Sequence, residues 1–226
     1  MCEVHKMVKI YLVRHCEAMG NLKKAFQGRT DSDISENGSL QLGYLKNRFR
    51  DIKIDKVFSS PLIRAFKTAV TATEEKNLAV IKDERFAEFD IGSLEGTPID
   101  DLVTKHAWFI DAWDNHPETL DPPQGETMQN LYDRVWDGIC DIVSDPENEG
   151  KTVLVASHGC AIRNIVCRVM FNDIKKLAYT PWSVNTAVSL ITFEDGKARL
   201  EFANDASHLP DELIKRGRLL TQKEEN

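Results

Sequence analysis

Apolar positions along the chain follow two rhythms. Three short runs are apolar almost without interruption: Val8, Ile10, Leu12 and Val13 around Lys9 and Tyr11; Val57 and Phe58 after Asp55 and Lys56; and Val153, Leu154, Val155 and Ala156 after Thr152. Such runs suit strands buried on both faces, as in a parallel or mostly parallel sheet. Elsewhere the apolar residues recur at the three- and four-residue spacing of one helix face. Leu40, Leu42, Tyr44, Leu45 and Phe49 follow Glu36-Asn37-Gly38 in this way, and Leu131, Val135, Trp136, Ile139 and Ile142 follow Gly125-Glu126-Thr127. Ala161, Ile162, Ile165, Val166 and Val169 do the same after the third run. A further helix is predicted over 61–76, with Ser60 as N-cap and Pro61 at its first position. Near the end, 186–193 and 198–202 read as a hairpin turned at Asp195-Gly196. Strands alternating with helices predict an α/β fold, a three-layer sandwich with a mostly parallel central sheet and helices on both faces.

The 226 residues are ample for one such domain and marginal for two. The Pro/Gly-rich stretch Asp121-Pro122-Pro123-Gln124-Gly125 is short enough to be a loop, so a single domain over 1–226 is expected. A lid insertion is expected at about 97–125, and a polar C-terminal tail at 221–226. The formal charge of −7 argues against nucleic acid or an anionic membrane as partner. It also means that an anionic substrate needs a local basic pocket. No apolar run reaches the roughly 18 residues of a membrane span, and residues 1–9 lack the pattern of a signal peptide. Five scattered cysteines in a chain of this size read as reduced thiols in a cytoplasmic protein. Homo-oligomerisation is left open.

Candidate chemistry gathers where the three runs stop. The first ends in Arg14-His15-Cys16-Glu17, the second in Ser59-Ser60-Pro61 with Arg64 beyond, the third in Ser157-His158-Gly159. Ligands of open α/β sheets bind outside the carboxyl ends of the strands, where parallel strands would bring these groups together. Any one of them alone would pass for an ordinary loop residue; the joint pattern does not. Arginine presents a fork of donors matched to phosphate oxygens, and Arg64 falls in the first turn of its predicted helix, where backbone N–H groups also favour an anion. A neutral imidazole on His15 can attack phosphorus, and His158 can hydrogen-bond the phosphoryl oxygens as their charge shifts. Glu88 is the candidate acid for the leaving alcohol, in an apolar neighbourhood that would favour its protonated form. Asp83, Glu84 and Asp90 compete for that role.

Taken in order, these segments resemble the histidine phosphatase superfamily, also called phosphoglycerate-mutase-like. Leu12-Val13-Arg14-His15-Cys16-Glu17 is similar to its Arg-His-Gly-Glu signature, with Asn21 falling where the family has a phosphate-binding Asn. Gln27-Gly28-Arg29-Thr30-Asp31, Ser59-Ser60-Pro61-Leu62-Ile63-Arg64-Ala65, the 88–96 segment, Pro123-Gln124-Gly125-Glu126-Thr127 and Ala156-Ser157-His158-Gly159 complete the order. The resemblance implies a phosphate monoester hydrolase acting on small organic phosphates through a phosphohistidine on His15. Glu88 would be the proton donor, with Arg14, Arg64 and His158 as the phosphate pocket. By the same carry-over Asn21 touches a phosphoryl oxygen, Gln27, Gly28 and Arg29 lie near the leaving group, and Gly159 borders the pocket. No metal and no organic cofactor are implied. The compact stretch between Glu88 and His158 resembles the hydrolases more than the mutases, which carry a longer insertion there.

One departure stands out: Cys16 occupies the place of the family's Gly. If that position needs a positive φ, Cys costs on the order of 1 kcal/mol or more. Cys16 and Cys160 also raise two rivals. One is a zinc site of His15, Cys16, His158 and Cys160, which adjacent ligands and two arginines disfavour. The other is redox control through a Cys16 thiolate favoured by its cationic neighbours. A phosphoryl transferase of mutase type and a catalytically impaired phospho-ligand binding protein complete the alternatives. In the 97–124 stretch, Trp108, Phe109 and Trp113 could stack on a leaving group or pack a small core of their own, as could Trp182, while His106 and His116 read as solvated or structural.

Overall fold

Six strands form one sheet in the order β3-β2-β4-β1-β5-β6 in the computed structural model, which describes residues 7–23 and 25–214. The tail expected at 221–226 lies outside the described residues. Strands β1 (Met7–Arg14), β2 (Lys56–Ser59), β3 (Val80–Lys82) and β4 (Thr152–Ser157) are parallel. The hairpin β5 (Val188–Glu194) and β6 (Lys197–Asp205) joins β1 antiparallel. The mostly parallel sheet is therefore as the apolar runs predict. Strand β3 escaped the pattern because it is a three-residue edge strand, half-buried at Val80 and exposed at Ile81 and Lys82.

Helices α2 (Glu36–Phe49) and α3 (Ile63–Ala72) cover one face, and α6 (Met128–Ser144) and α7 (Gly159–Phe171) cover the other. Alternation along the central strands feeds both layers. Ile10, Leu12, Val153 and Val155 pack with Ile139, Ile142, Ile162 and Ile165, whereas Val13, Leu154 and Ala156 pack with Leu42, Leu45 and Phe49. Burying an aliphatic side chain of this size contributes about 1.5–3 kcal/mol. Ile10, Leu12 and Val13 are all fully buried, so the end of β1 is firmly anchored.

Caps set two of the helix starts. Ser35 Oγ accepts from Gly38 N at 3.0 Å at the head of α2, and Thr127 Oγ1 accepts from Asn130 N at 3.0 Å at the head of α6. The third helix differs from the expected 61–76. It begins at Ile63 with Leu62 as N-cap, because the Ser60 hydroxyl is engaged with His158. It ends at Ala72, where Thr73 Oγ1 turns back onto the Ala69 carbonyl and a separate 3₁₀ turn follows over Glu74–Lys76.

The short α1 (Met19–Leu22) follows β1. The stretch expected as a lid folds as α4 (Ile99–Lys105), α5 (Ala107–Asn115) and a 3₁₀ turn at Pro117–Thr119. Its Leu102, Phe109, Ile110 and Leu120 join the α6–α7 core. No helix among the described residues is long and apolar enough to cross a membrane.

Candidate active site

Sheet register brings the two histidines together. Arg14 of β1 pairs with Ser157 of β4, so the next residue on each chain, His15 and His158, leaves neighbouring strands at the same level. Their ring centroids lie 5.1 Å apart with planes tilted by 56°. His15 Nδ1 sits 2.6 Å from the Cys16 carbonyl oxygen. Only an acceptor lies there, so Nδ1 carries the proton and Nε2 keeps its lone pair. Burial, and then the charges of Arg64 and Arg14, hold the His15 pKa well below 6.5, so the ring is neutral at neutral pH. His158 is depressed likewise, by burial, Arg64, His15 and Arg14.

Ser60 Oγ lies 2.7 Å from His158 Nε2 and accepts from Leu62 N at 3.3 Å. With the amide donating to the oxygen, the hydroxyl proton is free to point at Nε2. With the hydroxyl proton so directed, the imidazole proton sits on Nδ1, a buried atom with no partner among the described residues.

Arg64 is buried and Arg14 half-buried, and both are tethered at one end. Arg64 donates to the Thr30 and Gly28 carbonyls, each at 2.8 Å, and Arg14 donates to the Ser183 carbonyl. In both, Nε is buried and unpartnered among the described residues. Gly159 opens α7 beside Arg14: a Cβ there would stand 3.3 Å from the guanidinium carbon, so glycine makes room for the arginine. Gly28 is confined more tightly, since its Cβ would meet the Phe89 carbonyl oxygen at 2.4 Å.

Glu88 differs from its expected surroundings. Its carboxylate accepts from Phe89 N at 2.8 Å and from Cys160 N and Ala161 N at 3.2 and 3.3 Å, at the N-terminus of α7. The setting is thus backbone N–H donors on one side, with Phe89, Ile91, Trp113 and Trp182 sharing the cleft on the other. Arg14, Gln27, Gly28, Glu88 and Gly159 line the same cleft, whose volume is ≈ 120 Å³. A helix N-terminus was also expected to receive the anion near Arg64; instead the α3 N-terminus donates from Ile63 N to Asp31 at 2.8 Å.

Two further residues are placed otherwise than expected. Asn21 is exposed, and its Oδ1 accepts from Ala18 N at 2.9 Å, capping α1. Arg29 turns its guanidinium to the Glu88 carbonyl, Glu126 and Asp90. Gln27 lines the cleft with its amide held by the Thr30 carbonyl and Ser32.

Cys16 has no positive φ, so it carries none of the strain that a glycine position would impose. Its side chain is fully buried in the α2–α3 layer, and its amide donates to Thr68 Oγ1 at 3.1 Å. Burial pushes the thiol up to about 11, which removes the thiolate on which redox control depended. Cys160 packs against Met128, with the sulfurs 3.8 Å apart. The zinc set is therefore not assembled, and no group of three or more metal-type side chains converges among the described residues.

Several supporting residues carry no sequence signal of their own. Glu95 accepts from the amides of Gly28, Arg29 and Thr30 at 3.0–3.2 Å, and so fixes the two carbonyls that hold Arg64. Arg134 donates to the carbonyls of Arg85, Ala87 and Glu88 while paired with Glu126, clamping the Glu88 segment. Asn185 Nδ2 holds the His15 carbonyl at 2.9 Å.

Known proteins resemble the chain over most of its length. Phosphoserine phosphatase 1 of Hydrogenobacter thermophilus is 32% identical over 206 residues, 90% of this chain and 95% of that protein. A probable phosphoglycerate mutase GpmB of Erwinia tasmaniensis is 30% identical over 216 residues, 92% of this chain and 98% of its own. The solved structure of Bacillus stearothermophilus YhfR superposes with a TM-score of 0.84 at 25% identity, covering 89% of this chain and 98% of that one. Residues 10–206 match the histidine phosphatase superfamily (branch 1), and the chain belongs to that family.

Proposed function

We propose that the chain hydrolyses phosphate monoesters of small organic molecules by way of a phosphohistidine on His15. The state of the His15 ring carries this reading: its Nδ1 is committed to a backbone carbonyl and its pKa is depressed, so Nε2 offers a lone pair beside two guanidinia. Nε2 attacks phosphorus while the bond from phosphorus to the ester oxygen breaks, and Glu88 gives that oxygen its proton. Water then attacks the phosphohistidine and Glu88 takes its proton. The N–P bond breaks, releasing inorganic phosphate and restoring His15. Arg14, Arg64 and the Nδ1–H of His158 hold the phosphoryl oxygens through both steps, where charge-assisted bonds in a buried site are strongest. Gln27 and Gly28 border the departing alcohol. These steps call on neither a metal nor an organic cofactor.

Relatives named phosphatases support hydrolysis. Chain length does not separate the two activities, since the probable mutase of Erwinia tasmaniensis aligns over 98% of its own length without a long insertion. The difference lies in the acceptor, which is water for a hydrolase and a substrate hydroxyl for a mutase. Free thiols at Cys16, Cys140, Cys160 and Cys167 favour the reducing cytoplasm as its place.

The test is a rapid alkaline quench after mixing with a radiolabelled phosphate ester, with chelator present. Base-stable, acid-labile label on His15 is expected, followed by release of inorganic phosphate, with neither in His15→Ala. Turnover by His15→Ala would overturn the reading, isomerised phosphoglycerate without phosphate release would make the protein a mutase, and binding without label a phospho-ligand binding protein.

A further inference from the structure

Beyond the phosphate pocket, the wall of the cleft is aromatic and held rigid. The rings of Trp113 and Trp182 stack on each other at 5.3 Å with planes 22° apart. Each has its own support from behind. Trp113 receives the edge of Phe26 at 4.7 Å and stacks on Phe109 at 5.8 Å. Trp182 lies over the guanidinium of Arg163 at 4.3 Å, and that arginine is buried and donates to the Thr180 carbonyl at 2.9 Å. Both indoles are half-buried and line the cleft beside Glu88. A wall held in this way costs little ordering when a ligand arrives.

The charges of the cleft point the same way. Among its described lining residues the one cation is Arg14, already tied to Ser183 and adjoining the phosphate pocket. Arg29, which sequence placed near the leaving group, is spent on Glu126, Asp90 and a backbone carbonyl. A substrate carboxylate therefore has no described partner there, whereas an apolar group borders two indoles whose faces are packed on each other, on Phe109 and on Arg163.

Resting on the hydrolase reading above, we infer that the Trp113–Trp182 wall is a leaving-group subsite selecting phosphate monoesters whose alcohol carries an aromatic or similarly flat apolar group, over carboxylate-bearing esters such as phosphoserine or phosphoglycerate. Trp182 is the specificity-determining residue, and Arg163 a positioning residue behind it.

Two assays decide it. The first compares kcat/KM for benzyl phosphate with that for O-phosphoserine and phosphoglycerate, all esters of aliphatic alcohols, so that leaving-group acidity does not set the order. Benzyl phosphate should lead by about tenfold or more, the scale of one aromatic contact together with the area it buries. Trp182→Ala should erase that lead, and Trp182→Phe should restore most of it. The second uses benzylphosphonate and the phosphonate analogue of phosphoserine, neither of which can be hydrolysed, and follows quenching of tryptophan fluorescence. Tighter binding of the benzyl compound, lost in Trp182→Ala, is expected. Equal or better use of phosphoserine, or a ratio unmoved by Trp182→Ala, would overturn the subsite. Absence of turnover with every ester would instead defeat the hydrolase reading, and the phosphonate titration would still judge the subsite.

Discussion

Replacing Cys16 with the glycine usual in the family should leave catalysis alone and weaken the fold. The side chain of Cys16 is fully buried in the layer formed by α2 and α3, and its sulfur lies close to the start of α2, 3.3 Å from where a Cβ on Gly38 would stand. Removing the Cβ and Sγ gives up apolar burial and leaves a small void, together about 1–2 kcal/mol on the scale of one or two buried methylenes. Glycine adds about 0.5–1 kcal/mol through its freer unfolded chain, and because φ is not positive there is no strain for it to relieve. The sum is about 1.5–3 kcal/mol, which for a chain of this size lowers Tm by roughly 3–12 °C. The Cys16 carbonyl that orients His15 and the amide that donates to Thr68 both survive the change, so kcat/KM should stay within about twofold. Urea denaturation beside steady-state kinetics on Cys16→Gly measures both. A variant as stable as the parent, or one with kcat/KM raised tenfold, would refute this account.

Two more predictions rest on the histidines. Ser60→Ala removes the hydroxyl that directs the His158 proton to Nδ1, so kcat/KM should fall by about tenfold or more with a stability change near 1 kcal/mol, and Ser60→Thr should recover much of the rate; a loss under twofold would remove Ser60 from the mechanism. Stability should be flat between about pH 6.5 and 8 and decline as pH falls below 6.5. The unfolded chain takes up protons on His15, His158 and His208 near 6.5, which the fold refuses until lower pH, His208 until about 4, each adding up to about 1.4 kcal/mol per pH unit to the slope. Urea midpoints at pH 7.5 and pH 5 check the sign, and a midpoint that rises on acidification would reverse it.

What could be read from the chain was what local pattern decides. Strands β1, β2 and β4 are apolar runs because both their faces are covered, and each run stops at polar residues that gather around His15 and His158. Strand β3 shows no such pattern because an edge strand of three residues buries almost nothing. Ser60 before Pro61 carries the marks of an N-cap, and local sequence gives no sign that its hydroxyl belongs to an imidazole 98 residues away. Arg29 reads as a residue beside the leaving group until Glu126, 97 residues on, is seen to hold it. The cost of Cys16 depended on the sign of one φ, which residue type alone does not fix.

The overall charge of −7 and a phosphate site are reconciled by where the acidic side chains go. Glu95 occupies the three amides of the 28–30 turn, Asp31 the N-terminus of α3, Glu88 that of α7, and Glu126 the amide of Asp90. Backbone donors that could have bound substrate are thereby filled by the protein's own carboxylates, which pin the loops instead. The guanidinia of Arg14 and Arg64 are tethered by carbonyl oxygens rather than carboxylates, so their charge is held in place without being neutralised at contact. Screening in water confines the remaining surface charge to roughly 8–10 Å, whereas the buried cations act on His15 and His158 through little solvent. Burial first, and then that local field, hold both histidines below their usual pKa. An arriving phosphoryl group therefore meets a cationic pocket inside an acidic protein, and the field that adds to burial in keeping His15 neutral draws in the group it attacks.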